Sequence, residues 1–176
     1  MSSTSLVFIT DRPFAKNHNI KFSAKTYYGP HAGRVISYAE RLNDLWPLLI
    51  SEFHIKHTPI VRFTNLKRFG VFGICYGFDM DTPSMIMMDT RPEKTDDFDS
   101  FLKDLCHEMT HAEQWSRGDM TKNADYEYFW KGQHITASTD SLLSLTQEEY
   151  KSLPWEAEAY ARQELAYESI INQMHF

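Results

Sequence analysis

Leu105-Cys106-His107-Glu108-Met109-Thr110-His111 decides how the rest of this 176-residue chain is read. Phe98, Phe101, Leu102, Leu105 and Met109 recur at helical spacing, and Arg117-Gly118 closes the run, so a helix is expected from about Asp96 to Trp115. Residues four apart share a helix face, which lets the imidazoles of His107 and His111 reach one metal ion from a single rigid element. Neutral imidazole suits zinc. Glu108 points to the side of that pair, where it can take a proton from water activated by the metal instead of binding the metal itself. Zinc lowers the pKa of such a water from about 15.7 toward ~7, making hydroxide available at neutral pH. Cys106 should point away from the metal and fill the core as a small apolar residue.

A histidine pair of this kind calls for a third ligand, and His134, Glu156 and Glu158 are the downstream candidates. Pro154 is placed to open a final helix to about Met174, because its missing N–H costs nothing in a first turn. At ~100° per residue, Trp155, Ala159, Ala166, Ile170 and Met174 form the apolar face, and Glu156 falls on that side with Tyr160 and Tyr167. Glu158 points nearly opposite, as a solvated charge with Arg162 as its i,i+4 partner. A carboxylate on a buried face is costly unless paired or bound to a metal, which favours Glu156. The alternative reason for a carboxylate there is the helix macrodipole. Glu158 takes the role if the helix start is irregular, and His134 is the remaining candidate. The small Ala157 and Ala159 would let this helix approach the His107–His111 helix closely. His18, His31, His54, His57 and His175 lack partner spacing and read as ordinary histidines.

Outward from the motif, Ala32, Val35, Ile36, Ala39, Leu42, Trp46, Leu49, Ile50 and Phe53 predict a long amphipathic helix over 32–54, kinked or split at Pro47. Pro59–Phe63, Phe69–Phe78 and Ser84–Asp89 read as strands, the last two joined as a hairpin through Asp79–Pro83. The glycines of Phe69–Phe78 suggest bulges or the close approach of another group. Tyr126–Thr136 suggests a second hairpin, and Thr146-Gln-Glu-Glu149 is a capping box for a short helix ending near Leu153. Residues 1–30 show only a strand-like Leu6–Ile9 and a turn-like Asn17-His-Asn19. The layout is one α+β domain over residues 1–176.

Composition agrees with a folded domain: 42% hydrophobic and 24% charged excludes a disordered chain. A net charge of −6 and pI near 5.7 give no support to nucleic-acid or anionic-membrane binding. No apolar run approaches a bilayer span, and Met1–Thr10 lacks the basic region of a secretory signal. Cys75 and Cys106 form no CxxC pair, so a cytoplasmic location is expected.

Leu105–His111, following a helix and a short sheet, resembles the zincin metallopeptidases, and within them is most similar to SprT-like domains and small phage-encoded metallopeptidases. Trp130-Lys-Gly-Gln133 followed by Leu153-Pro-Trp-Glu-Ala-Glu-Ala159 is similar to the phage-type sequences, and the Glu156-to-Ala159 pattern resembles the third-ligand helix of glutamate-type zincins. The resemblance spans roughly residues 32–165. It implies a zincin-like fold: a long N-terminal helix, a small, mainly antiparallel sheet whose edge strand runs beside the active-site helix, and a C-terminal helix carrying the third ligand. It also implies a host-cell cytoplasmic location for a phage product. The chain departs from SprT proper, whose third ligand is a histidine, and this departure, with the acidic charge, argues against the DNA–protein crosslink repair of those relatives.

The expected activity is a zinc-dependent peptidase acting on a peptide or protein substrate. His107, His111 and Glu156 would hold Zn2+, and Glu108 would pass the water proton to the leaving amine. Tyr160, one turn after Glu156, is the nearest second donor to the oxyanion, although a packed core tyrosine is the commoner reading. Two other functions fit the same residues: a binding or structural protein that keeps the fold without turnover, or a metal-dependent amidase acting on a non-peptide bond such as one in a cell wall.

Overall fold

The computed structural model describes residues 20–22, 31–77, 79–91, 97–123, 127–135 and 145–174. Its elements are β1 (Ile20–Phe22), α1 (Ala32–Glu52), β2 (Ile60–Thr64), β3 (Gly73–Tyr76), β4 (Met85–Asp89), α2 (Phe98–Arg117), β5 (Met120–Lys122), β6 (Tyr128–Trp130), β7 (Gln133–His134), α3 (Gln147–Ser152) and α4 (Pro154–Met174). This is an α+β arrangement, and among the described residues no helix is long and apolar enough to cross a membrane. The strand expected at Leu6–Ile9 and the turn at Asn17–Asn19 lie outside the described residues.

The helix over 32–54 is present as α1, with Val35, Tyr38, Ala39, Leu42, Leu45, Trp46 and Leu49 buried along one stripe. It runs unbroken through Pro47, so the expected split does not occur. A proline inside a helix costs about 3 kcal/mol, and burial of Leu45, Trp46 and Leu49 on both sides of it offsets that.

The expectation of a mainly antiparallel sheet is corrected by the pairing. The four-stranded sheet runs β1-β2-β4-β3, with β1–β2 and β2–β4 parallel and only β3–β4 antiparallel. The reason is topological: α1 intervenes between β1 and β2, and a parallel pair needs such a crossover. The chain then leaves β2 for the edge and returns as β4 between them, which makes β3 and β4 the expected hairpin. β3 is shorter than the Phe69–Phe78 run because a 3-10 turn occupies Lys67–Phe69 and Gly70 follows in the left-handed region at φ 71°. A separate antiparallel sheet, β5-β6-β7, contains the second hairpin, turned at Lys131 and Gly132 with both φ values positive.

Val61, Phe63, Ile86 and Met88 present one buried face of the larger sheet to the helices. Phe101 of α2 stacks on Phe63 with centroids 5.6 Å apart, and Leu102, Leu105, Cys106 and Met109 continue the same core. Cys106 is thus a core residue, as its spacing suggested. α2 starts at Asp97, whose carboxylate accepts from the Ser100 amide at 2.7 Å, and ends at Gly118. The capping box is formed: Thr146 Oγ1 accepts from the Glu149 amide while Glu149 returns an acceptor to the Thr146 amide, starting α3 just ahead of α4.

α4 packs along α2. Trp155, Glu156, Ala159, Ala166 and Ile170 face inward, whereas Ala157 and Met174 are exposed. Of the two alanines expected to permit close approach, only Ala159 lies in the interface. Ala159→Leu should therefore overpack it and cost about 1–3 kcal/mol, while Ala157→Leu should stay within about 0.5 kcal/mol of wild type. Urea unfolding of both variants checks the contrast, which fails if the two behave alike.

Candidate metal centre

His107 and His111 lie one turn apart on α2, their rings 4.8 Å apart and nearly perpendicular, with the two Nε2 atoms 3.2 Å apart. α4 supplies Glu156 from its first turn. The Glu156 side chain is only 2% exposed, with Oε2 3.1 Å from His107 Nε2 and Oε1 3.3 Å from His111 Nε2. One donor atom from each of the three lies within 4.8 Å of the others. Two imidazole nitrogens and a carboxylate oxygen converging from two packed helices form a donor set that fits zinc. Their mutual contacts show how the group is balanced by protons alone. Burial would raise the Glu156 carboxyl, but hydrogen bonds from both histidines hold it well below the usual carboxylate range. Burial would lower His111, yet the hydrogen bond and charge of Glu156 raise it to about 9.

Glu108 is buried beside this group without belonging to it. It faces β3: a Cβ added at Gly73 would sit 2.6 Å from both Glu108 Cγ and Oε1, so no larger residue fits there unless Glu108 moves. Gly77 has the same relation to the indole of Trp115. The glycines of this strand thus mark a close approach, as expected, and the partner is α2. Burial pushes the Glu108 carboxyl up to about 7, against the lowering influence of His111 and His107.

The other candidates lie apart. His134 is in β7, its ring against Phe129 and 3.7 Å from Glu127. Glu158 stands outside the cluster, and its partner is not Arg162. It pairs with Arg117 at 3.0 Å and accepts from Gln114 at 2.8 Å, while Arg162 donates to the Glu52 carbonyl and lies 3.3 Å from Glu113. A tertiary partner on α2 has displaced the local i,i+4 one. His31, His54 and His57 are outside the cluster; His18 and His175 lie outside the described residues. Tyr160 is not a packed core residue: it is 40% exposed, with its ring 4.5 Å from that of His107.

Two residues at the site escaped the sequence reading. The Tyr150 hydroxyl, on α3, helps hold the Glu156 carboxyl down, and burial together with the Glu156 charge raises its own pKa. The capping box located α3, but nothing in the spacing indicates which way Tyr150 faces. Gln114, fully buried one turn beyond His111, lies 2.9 Å from His111 Nδ1 and donates to the Trp155 carbonyl. Its i+3 spacing from His111 was the available signal.

Two outcomes follow from these charges. Zinc loading at pH 7 should expel about one proton per ion, because the ligands must give up the proton they share; calorimetry in buffers of different ionisation enthalpy measures this, and zero release contradicts it. In metal-free protein, Glu108 ionises near 4.5 when unfolded and near about 7 when folded. Folding takes up a proton between those values, so stability falls as pH rises through the window. Glu108→Gln should therefore stabilise the metal-free fold above pH 7 by about 1–3 kcal/mol, the gain vanishing below about pH 4.5, as read by urea unfolding in chelator.

No family model matches the chain, and neither a curated protein nor a solved structure does.

Proposed function

We propose that this chain is a zinc-dependent metallopeptidase of zincin type. The observation that carries this reading is the convergence of His107, His111 and Glu156, with Glu108 buried beside them and outside the ligand set. A purely structural metal site has no use for such a carboxylate. When bound, zinc would polarise a substrate carbonyl and acidify a water next to it. Glu108, with its carboxyl near about 7, suits a group that accepts the proton of the attacking water and returns it to the departing amine at neutral pH. Tyr160, exposed beside His107 and with its pKa raised by burial and by Glu156 and Glu108, keeps a proton to donate to the developing oxyanion.

A peptide fits the surroundings better than a compact small molecule. β3 is the end strand of its sheet among the described residues, and Gly73 brings its backbone against Glu108. An extended peptide can add to such an edge through main-chain hydrogen bonds. Phe69, Phe72 and Tyr76 are exposed along and beside the strand, ready to pack against apolar side chains of the added segment. The glutamate ligand sets the site apart from the histidine-type centre of SprT proper.

Elemental analysis and hydrolysis of a mixed fluorogenic peptide library test the proposal together. About one zinc per chain is expected, lost in Glu156→Ala and retained in His134→Ala and Glu158→Ala. Glu108→Gln should keep the zinc and lower turnover by about 10²–10⁴-fold. Zinc without any hydrolysis would point to a binding or structural protein, and cleavage confined to a non-peptide amide would point to an amidase. Absence of zinc after loading would overturn the metal reading itself.

A further inference from the structure

Gln114 makes more contacts than a core amide needs. Its Nε2 lies 2.9 Å from the Trp155 carbonyl and 2.8 Å from Glu158 Oε2, and both of these groups only accept. The two N–H bonds of the amide must therefore face α4, which fixes the flip of the side chain and turns Oε1 toward α2. Oε1 meets His111 Nδ1 at 2.9 Å. An oxygen there only accepts, so Nδ1 must carry the proton, and in the neutral ring the lone pair is left on Nε2. That is the atom facing Glu156 Oε1 and His107 Nε2. Glu158 is itself held by Arg117 at 3.0 Å. The chain Arg117–Glu158–Gln114–His111 thus runs from the surface to the ligand cluster, with each donor and acceptor role determined by its neighbour. His107 has no equivalent: its Nδ1 is buried without a hydrogen-bond partner among the described residues.

We infer that Gln114 is the positioning residue of the metal centre, fixing His111 in the tautomer that presents Nε2 and tying that choice to the seating of the Glu156 helix through Trp155 and Glu158. This rests on the metal site proposed above but not on turnover. Carbonyl and carboxylate partners of ligand histidines are worth about 10–100-fold in metal affinity, and Gln114 is placed to supply that effect to one ligand only.

The test needs no substrate. In zinc-loaded wild-type protein, ring-nitrogen NMR should show His111 bound through Nε2 with a hydrogen-bonded proton on Nδ1. Coordination through Nδ1 would overturn the inference without any variant having to fold. Gln114→Leu, which keeps the volume and removes every hydrogen bond, should weaken zinc binding by about 10–100-fold in chelator competition. Wild-type zinc affinity in Gln114→Leu would likewise sink the positioning role. Zinc bound normally by wild type in those cases leaves the metal centre standing, whereas a wild type that takes up no zinc removes both.

Discussion

A carboxylate with 2% of its side chain exposed, Glu156, is the constraint around which this structure is organised. A buried unpaired charge costs several kcal/mol, so the fold has to bring compensation to it. The compensation comes from several elements. Pro154 opens α4 so that Glu156 sits in the first turn, where unpaired amides favour an anion. Ala159 lets the helix come close to α2, whose His107 and His111 face the carboxylate at hydrogen-bond distance. Tyr150 adds a hydroxyl from α3. Two imidazoles and a carboxylate at this spacing need positive charge between them, as protons or as a divalent cation.

α2 bears the rest. Its N-terminal half is tied into the core through Phe101, Leu102, Leu105 and Cys106, so the histidines that follow start from a fixed backbone. The next turn continues with Gln114 and Trp115, both buried, which reach α4 and the Gly77 end of β3. One helix therefore sets the distances between the two histidines, the helix that carries Glu156 and the edge strand. A site built on a helix packed on both sides is more precise than one hung on loops.

What could be read from the sequence was local, and what could not was tertiary. His107 and His111 needed only the spacing of a helix. Glu156 needed only the position of Pro154, because once the helix start is known the face follows. The capping box at Thr146 and the turn at Lys131-Gly132 were legible for the same reason. Strand order was not: β1 is three residues with no pattern, and pairing β2 with β4 depends on a chain path that no local signal records. Glu158 was assigned its neighbour Arg162 because i,i+4 is the only partner a sequence offers, whereas Arg117, on another helix, holds it. Gln114 and Tyr150 act through residues on other helices, which is why neither stood out.

Glu108 and Glu156 put the same functional group to opposite uses. Both are buried, yet one carboxyl is pushed up to about 7 and the other held well below the usual carboxylate range. Burial acts on both in the same direction, so the difference lies in what each one faces. Glu156 looks into two imidazoles at hydrogen-bond distance, which favours its ionised form. Glu108 looks at the backbone of Gly73, which brings no side chain to pair with it, and feels the histidines only as neighbouring charges. A carboxyl held in its ionised form suits a metal ligand; a carboxyl balanced near neutrality suits a group that gains and loses a proton. The two carboxyls are thus set apart in protonation, Glu108 facing a glycine backbone and Glu156 two histidines.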